Sequence, residues 1–134
     1  MASSTPTPAP AASSGLTNNL AAALVYIPFF IGLILGIVFL VIEPYNKNRL
    51  VRFHAFQTIF LHVALFALGI VWQILLVILG LMSHGLVLAL ALPVMWLFGI
   101  GVFVLMVYCA FQAYSSKEFK LPIIGDLAAK QAGA

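Results

Sequence analysis

Charged side chains are scarce in this sequence. Its 134 residues include 6 Lys+Arg and 3 Asp+Glu, so charged residues make up 7% of the chain while hydrophobic residues make up 64%. An ordinary soluble domain has about a quarter of its residues charged. So few charges cannot cover a surface that faces water, which excludes a soluble globular protein and places the chain in a lipid bilayer. The net charge of +3 is also too small to indicate nucleic-acid binding.

Reactive groups are equally scarce. The single cysteine, Cys109, lies in an apolar stretch; this excludes an internal disulfide and a cysteine-based zinc cluster and indicates a packing residue. The three acidic residues lie at predicted membrane edges and cannot form an inward-facing catalytic pair. The sequence has no glycine-rich phosphate loop, no His-Glu-x-x-His motif and no nucleophile paired with a base. We therefore expect no enzymatic activity and assign no metal or cofactor.

Three long apolar stretches predict an all-α membrane protein. They cover residues 20–42, 53–82 and 86–114, and each is long enough to cross a hydrocarbon core of about 30 Å as a helix. Pro93 divides the third stretch, but each half is short for a crossing, so three spans are favoured over four. A disordered Ala/Ser/Thr/Pro tail is predicted for residues 1–15, a membrane domain for 16–116, and an interfacial or cytoplasmic tail for 117–134.

The positions of the charges predict an orientation. With three spans, all the basic residues fall on one side of the bilayer, which the positive-inside rule identifies as the cytoplasm. The N-terminal tail and the turn at His84 then lie opposite, in a multi-pass protein of the cell inner membrane. The basic residues are Lys47, Arg49, Arg52, Lys117, Lys120 and Lys130.

Small residues line one face of the first stretch. Pro28, Gly32 and Gly36 recur at i, i+4 and i+8, which places them within a narrow arc of a helix. The Gly-x-x-x-Gly spacing allows two helix backbones to approach closely. We interpret this face as a helix-packing surface, whose partner is another span or another copy of the chain.

The second stretch carries a polar face. His54, Thr58, His62 and Gln73 lie within an arc of about 100°. Polar side chains that face lipid are costly, so this face is predicted to turn toward protein or a wet cavity. The structural interpretation is interhelical hydrogen bonding, worth about 1 kcal/mol for each bond. The functional interpretation is a conduction or proton-relay path, or a histidine ligand for a cofactor.

The basic loop and the C-terminal tail are predicted to meet at the cytoplasmic surface. The loop supplies Lys47, Arg49 and Arg52, and the tail supplies Lys120 and Asp126. We expect the tail to fold back near the loop, with Asp126 pairing with Arg49 or Arg52. Contact of both segments with lipid alone is the alternative.

Particular segments carry a resemblance to a known family. They are the sequence EPYNKNRLVRFHAFQ at residues 43–57, YIP at residues 26–28, and FKLPIIGDLA at residues 119–128. Together they resemble a family of small bacterial membrane proteins of unknown function, related to the twenty-kilodalton Tic component of the chloroplast inner-envelope import machinery. The resemblance implies a helical membrane protein, and through its plastid relatives a contribution to a protein-translocation channel.

We consider three functions. The leading interpretation is a non-enzymatic scaffold or accessory subunit of a membrane assembly, whose partners are the bilayer and other membrane proteins or further copies of the chain. The first alternative is a transport or translocation element in which the polar faces of the second span line a path. The second alternative is a cofactor-binding subunit that uses His54, His62 or His84.

Overall fold

All of the regular secondary structure in the described part of the chain is helical. The computed structural model describes residues 15–133, so most of the predicted disordered tail, residues 1–15, lies outside it. The all-α prediction is confirmed. The elements in order are α1 (Asn18–Leu24), α2 (Phe30–Val41), a 3-10 turn (Tyr45–Lys47), α3 (Arg49–Met82), α4 (Leu86–Tyr114) and α5 (Ile124–Gln131).

Within residues 15–133, α3 and α4 are the two helices that are long and apolar enough to cross a membrane. With 34 and 29 residues, they are about 51 and 43 Å long. Asn48 begins α3, because its side chain accepts a hydrogen bond from Val51 N, and Gly85 separates the two helices with a positive φ of 88°. Helix α4 runs without a break through Pro93, so the four-span alternative is wrong.

The first apolar stretch is not the single helix that was predicted for residues 20–42. Helix α1 ends at Leu24 and α2 begins at Phe30. The break surrounds Pro28, which has no backbone N–H to donate and disfavours helix in the residue before it; Phe29 follows with a φ of 64°. At 12 residues, α2 is about 18 Å long, short of the roughly 30 Å hydrocarbon core. Three membrane spans are therefore not confirmed.

Helices α1 and α2 form a hairpin whose two ends lie together. The Tyr45 hydroxyl, after α2, donates a hydrogen bond of 3.2 Å to Leu16 O, before α1. Asn19 in α1 donates to the hydroxyl of Ser116, just after α4, at 2.6 Å. The start of the described chain thus lies at the same end of the molecule as the basic residues. The predicted position of the N-terminal tail opposite them is not confirmed: the tail lies mostly outside the described residues, and the prediction assumed one unbroken helix where the structure has two.

The hairpin packs between α3 and α4 over the half of the molecule that carries the basic residues. Its buried side chains contact buried side chains of both long helices, and the cluster includes Ala21, Ala22, Val25, Phe39, Val51, Ala55, Met106, Cys109 and Ala113. Beyond the hairpin, the rest of α3 and α4 projects with most of its apolar side chains exposed. An apolar groove of about 430 Å³ separates the projecting helices, lined by Leu65, Leu68, Gly69, Trp72, Val94, Met95 and Phe98.

The C-terminal segment returns to the start of α3. Ala128 and Ala129 of α5, together with Ala132 just after it, pack against Phe53, with Phe56 and Phe60 alongside. Small side chains on α5 allow it to lie close to this aromatic stripe. The loop, the tail and both ends of the α1–α2 hairpin therefore meet at one end, which we call the basic end.

The hairpin predicts a particular pattern of accessibility in the membrane. In a Cys109→Ala background, Asn18→Cys and Lys47→Cys should react with a membrane-impermeant maleimide from the same side of sealed vesicles. His84→Cys, at the turn between α3 and α4, should react from the other side, because one crossing, by α3 or by α4, separates it from the basic end. Labelling of Asn18→Cys and Lys47→Cys from opposite sides would contradict the hairpin.

Candidate functional site

The polar face of α3 is buried where the hairpin packs against it. His54, Gln57 and Thr58 have no exposed surface, although the helix that carries them is otherwise strongly apolar. Their spacing places them on neighbouring positions of one helix face. Buried polar groups are costly unless they are hydrogen-bonded, so the function of this face depends on where each group finds its partner.

Gln57, Tyr26 and His54 form a chain of buried hydrogen bonds. Gln57 Nε2 donates to the Tyr26 hydroxyl at 2.9 Å, and that hydroxyl lies 2.8 Å from His54 Nδ1. His54 Nε2 lies 3.0 Å from Lys117 O. A carbonyl only accepts, so Nε2 carries the ring proton and Nδ1 accepts from the tyrosine. Every ring nitrogen of His54 is used inside the fold.

Gln57 also holds the C-terminal segment. Its amide donates to Phe119 O at 3.0 Å, and its carbonyl accepts from Leu121 N at 3.1 Å. One buried side chain thus joins three segments: the hairpin, α3 and the tail. This arrangement orders the chain between α4 and α5 without any regular secondary structure there.

Thr58 and His62 bind the backbone at the tip of the hairpin. The Thr58 hydroxyl donates to Val25 O at 2.9 Å, and His62 Nε2 lies 3.1 Å from Phe29 O. His62 Nδ1 lies 2.8 Å from Thr58 O of its own helix. A break inside a helix frees carbonyls that water cannot reach within a bilayer. The Thr58 hydroxyl satisfies one of them, Val25 O. A neutral imidazole carries a single ring proton, so His62 donates to one of its two carbonyl neighbours, Thr58 O or Phe29 O, and its contact with Phe29 joins α3 to the start of α2.

The predicted polar face is divided between two environments. Gln73, eleven residues beyond His62, lies on the exposed surface of the projecting part of α3. His84 is exposed in the turn between α3 and α4. Neither belongs to the buried network, so the structure brings together His54, Thr58 and His62 and leaves Gln73 apart from them.

Pro28, Gly32 and Gly36 act within the chain. A Cβ at Gly32 would overlap the carbonyl oxygens of Val25 and Ile27, so the tight turn of the hairpin requires glycine there. A Cβ at Gly36 would lie 2.9 Å from the Thr58 side chain, which places α2 directly on the polar face of α3. Within the chain, Gly32 packs against the turn and Gly36 against α3.

Two arginines of α3 join this helix to the C-terminal segment at the basic end. Arg49 forms a two-pronged ion pair with Glu118, at 2.9 and 3.1 Å, and donates to Gly133 O at 3.0 Å. Arg52 donates to Gln131 O at 3.2 Å. The two side chains thus bind carbonyls at the C-terminal end of α5, where a cation is favourable.

The acidic partner of the loop is Glu118 and not Asp126. Asp126 pairs with Lys120 at 3.2 Å, within its own segment, so its predicted pairing with Arg49 or Arg52 is wrong. The reason is local: Asp126 is in the first turn of α5, whereas the arginines lie at the other end of that helix. Lys47 pairs with Glu43 one turn away at 2.7 Å, and such an exposed pair contributes about 0–1 kcal/mol.

Three residues of the site were missed as site residues by the sequence analysis. Tyr26 and Gln57 lie in the YIP and VRFHAFQ segments that the analysis singled out, and their polarity within apolar stretches was the available signal. Glu118 gave less signal, because a lone carboxylate in a tail has many possible partners. Distance in sequence, 69 residues for Arg49 and Glu118, hides such a pair.

The arrangement is suited to holding segments together. Its donors and acceptors face one another, and the groove between α3 and α4 offers only apolar walls. Among residues 15–133, no group of three His, Cys, Asp or Glu side chains lies close enough to hold a metal ion. The single cysteine, Cys109, is buried in the packing between α1 and α4.

Replacing Gln57 tests its function as the link to the tail. Gln57→Leu should leave the Tyr26 hydroxyl, Phe119 O and Leu121 N short of a partner, at about 1–3 kcal/mol for each buried group. We expect much faster trypsin cleavage at Lys117 and Lys120 in detergent. Gln112→Leu, which removes an amide bonded only to Tyr108 on the surface of α4, is the matched control and should leave cleavage unchanged. Equal cleavage of the two variants would contradict the link.

Replacing the hairpin glycine tests the close approach at the tip. Gly32→Ala should destabilise the protein by about 1–3 kcal/mol, because the methyl group overlaps two carbonyl oxygens. Gly99→Ala is the control: nothing lies within 4 Å of its Cβ position, so better helix propensity should leave stability equal or raise it by up to about 1 kcal/mol. Thermal unfolding in the same detergent measures both, and a Gly32→Ala midpoint at or above that of Gly99→Ala would argue against the tight turn.

Two archaeal proteins are similar to this chain over most of its length. A UPF0132 membrane protein of Methanocaldococcus jannaschii is 35% identical over 116 residues, which are 87% of this chain and 89% of that protein. A UPF0132 membrane protein of Archaeoglobus fulgidus is 32% identical over 118 residues, 88% of this chain and 98% of that protein. No solved structure matches the chain.

A family model covers nearly the whole described region. The model of the magnetosome magnetite crystal formation protein family matches residues 14–128, a range that includes the hairpin, both long helices and most of α5. These comparisons support a small membrane-protein family without an established activity, and they do not show the likeness to the Tic import component. By the extent of the match, the chain belongs to the magnetosome magnetite crystal formation protein family.

Proposed function

We propose that this protein is a non-enzymatic membrane scaffold, an accessory subunit that acts by binding other membrane-embedded chains. The observation that carries the proposal is the inward use of the buried polar groups. His54, Gln57 and Thr58 each bond to another segment of the same chain. Bonds of this kind, from a buried side chain to another segment of the chain, support a function in holding segments together.

The exterior supports the same proposal. The projecting parts of α3 and α4 and the outer face of α2 present a continuous apolar surface. In a bilayer this surface is in contact with lipid chains or with other helices. A rigid end, stabilised by the hairpin and α5, holds the projecting helices in a fixed position for such contacts.

The distribution of charge supports a membrane protein with one basic side. Each of the three carboxylates pairs with a cation of this chain, and the excess of three positive charges stays at the basic end. We propose that this end faces the cytoplasm, by the positive-inside rule, and that the protein resides in the cell inner membrane. The start of the described chain lies on the same side, because α1 and α2 enter and leave together.

The name of the matched family suggests where such a scaffold would act. The matched family is described by magnetite crystal formation, a process that takes place within a magnetosome. We propose that members of this family contribute by organising a membrane assembly, and that this chain does so through its apolar surfaces. The carboxylates that would attract iron are occupied by Lys47, Arg49 and Lys120.

Isolation of the protein with its native lipid tests the proposal. Membranes solubilised directly into lipid discs should yield the tagged chain in a defined particle with at least one further chain, either another protein or a second copy. Purified protein in sealed vesicles should show no ion flux above that of empty vesicles. A particle with a single chain, together with flux that His62→Leu abolishes, would contradict the scaffold and support a conducting path.

A further inference from the structure

Gln73 is the unusual residue of the projecting part of α3. Between His62 and Ser83 the helix carries no other amide, hydroxyl or charged side chain. Gln73 is exposed there, and its neighbours on the same face, Phe66, Ile70 and Val77, are exposed and apolar. The chain thus places one amide on a surface that otherwise suits the hydrocarbon core.

An amide in this position needs a hydrogen-bond partner. Gln73 lies 21 residues beyond Arg52 along α3, about 31 Å from the basic end, and nine residues, about 14 Å, before Met82. Lipid chains offer neither donors nor acceptors, and an unsatisfied amide in hydrocarbon is costly. Interhelical hydrogen bonds from Gln side chains are an established source of association between membrane helices. A partner for this face must therefore present a polar group at the same depth.

We propose that α3 is the dimer interface of this protein and that Gln73 pairs with Gln73 of a second copy. A primary amide is self-complementary, since it carries two N–H donors and a carbonyl acceptor. A two-fold axis along the membrane normal brings the same residue of two copies to the same depth. A second copy related by this axis therefore presents its own Gln73 amide at the depth where a partner is needed.

A glycine lies one turn before Gln73. Gly69 lines the edge of the apolar groove between α3 and α4, and nothing occupies the space within 4 Å of its Cβ position. The absence of a side chain at Gly69 reduces the bulk beside Gln73, which favours the approach of a second helix there.

The parallel arrangement is compatible with the charges. It places two basic ends on one side of the membrane, but they lie about 31 Å along the helix from Gln73. Two helices that cross at about 40° are about 20 Å further apart at that distance from the crossing point, which is more than the screening length of about 8 Å at physiological ionic strength. Helices that cross at Gln73 diverge toward their ends, so repulsion between the basic ends opposes the pairing only weakly.

This inference rests on the proposed function, because it names one partner of the scaffold. The experiment uses the full chain in phosphatidylcholine vesicles with Cys109→Ala as background. Val77→Cys places a thiol one turn from Gln73 on the same face, and Leu75→Cys places one at similar depth on the opposite face. A short bismaleimide should join two copies through Val77→Cys and should not do so through Leu75→Cys.

The second measurement removes the amide. Gln73→Leu should weaken the dimer roughly three- to twentyfold, measured by energy transfer between labelled copies at varied protein-to-lipid ratio, and should abolish most cross-linking through Val77→Cys. Gln73→Asn, which keeps the amide, should retain more of the association than Gln73→Leu. Cross-linking that is equal at Val77→Cys and Leu75→Cys, or unchanged in Gln73→Leu, would overturn the pairing.

The two proposals fail separately. If the native particle holds a different protein and no Gln73-dependent dimer forms in vesicles, the proposed pairing of two copies is wrong and the scaffold proposal stands. A dimer that depends on Gln73 and also conducts ions overturns the non-conducting scaffold and leaves the pairing intact.

Discussion

The structure depends on the hydrogen bonds that α3 gives to a broken helix. A backbone that leaves helical geometry at membrane depth exposes carbonyls that neither lipid nor water can satisfy there. Thr58 donates to Val25 O, and His62 contacts the carbonyl of Phe29, where α2 begins. Gln57 and His54 fix the neighbouring tyrosine and the tail. Without these bonds, the hairpin would lose the contacts that hold it between the two long helices.

The other features follow from the hairpin. Because α1 and α2 return to where they began, the start of the described chain, the basic loop and the tail share one end. There Arg49 and Arg52 bind the end of α5 and Glu118. Because the hairpin packs against only part of α3 and α4, the remainder projects with its apolar side chains free for lipid or for another chain. The polar residues of α3 that hold the hairpin therefore have two effects. They order the basic end, and they leave the projecting parts of α3 and α4 uncovered.

The sequence predicted the long helices well and the hairpin poorly. Composition and the length of the apolar stretches were sufficient for α3 and α4, since hydrophobicity over some thirty residues is a strong signal. Pro28 was read as a packing residue of a continuous helix, because a proline is tolerated in many membrane helices and its effect depends on the donors nearby. The division of the polar face into a buried part and an exposed Gln73 could not be predicted, because it depends on where the hairpin ends.

The central claim is that the polar face of α3 holds the hairpin in place. Hydrogen–deuterium exchange of the backbone amides of residues 25–32, compared between the wild-type protein and a Thr58→Val, His62→Leu double variant in lipid discs, tests it most directly. The account predicts much faster exchange at the tip in the double variant, with the projecting parts of α3 and α4 unchanged. Exchange at the tip that is the same in both proteins would contradict the account.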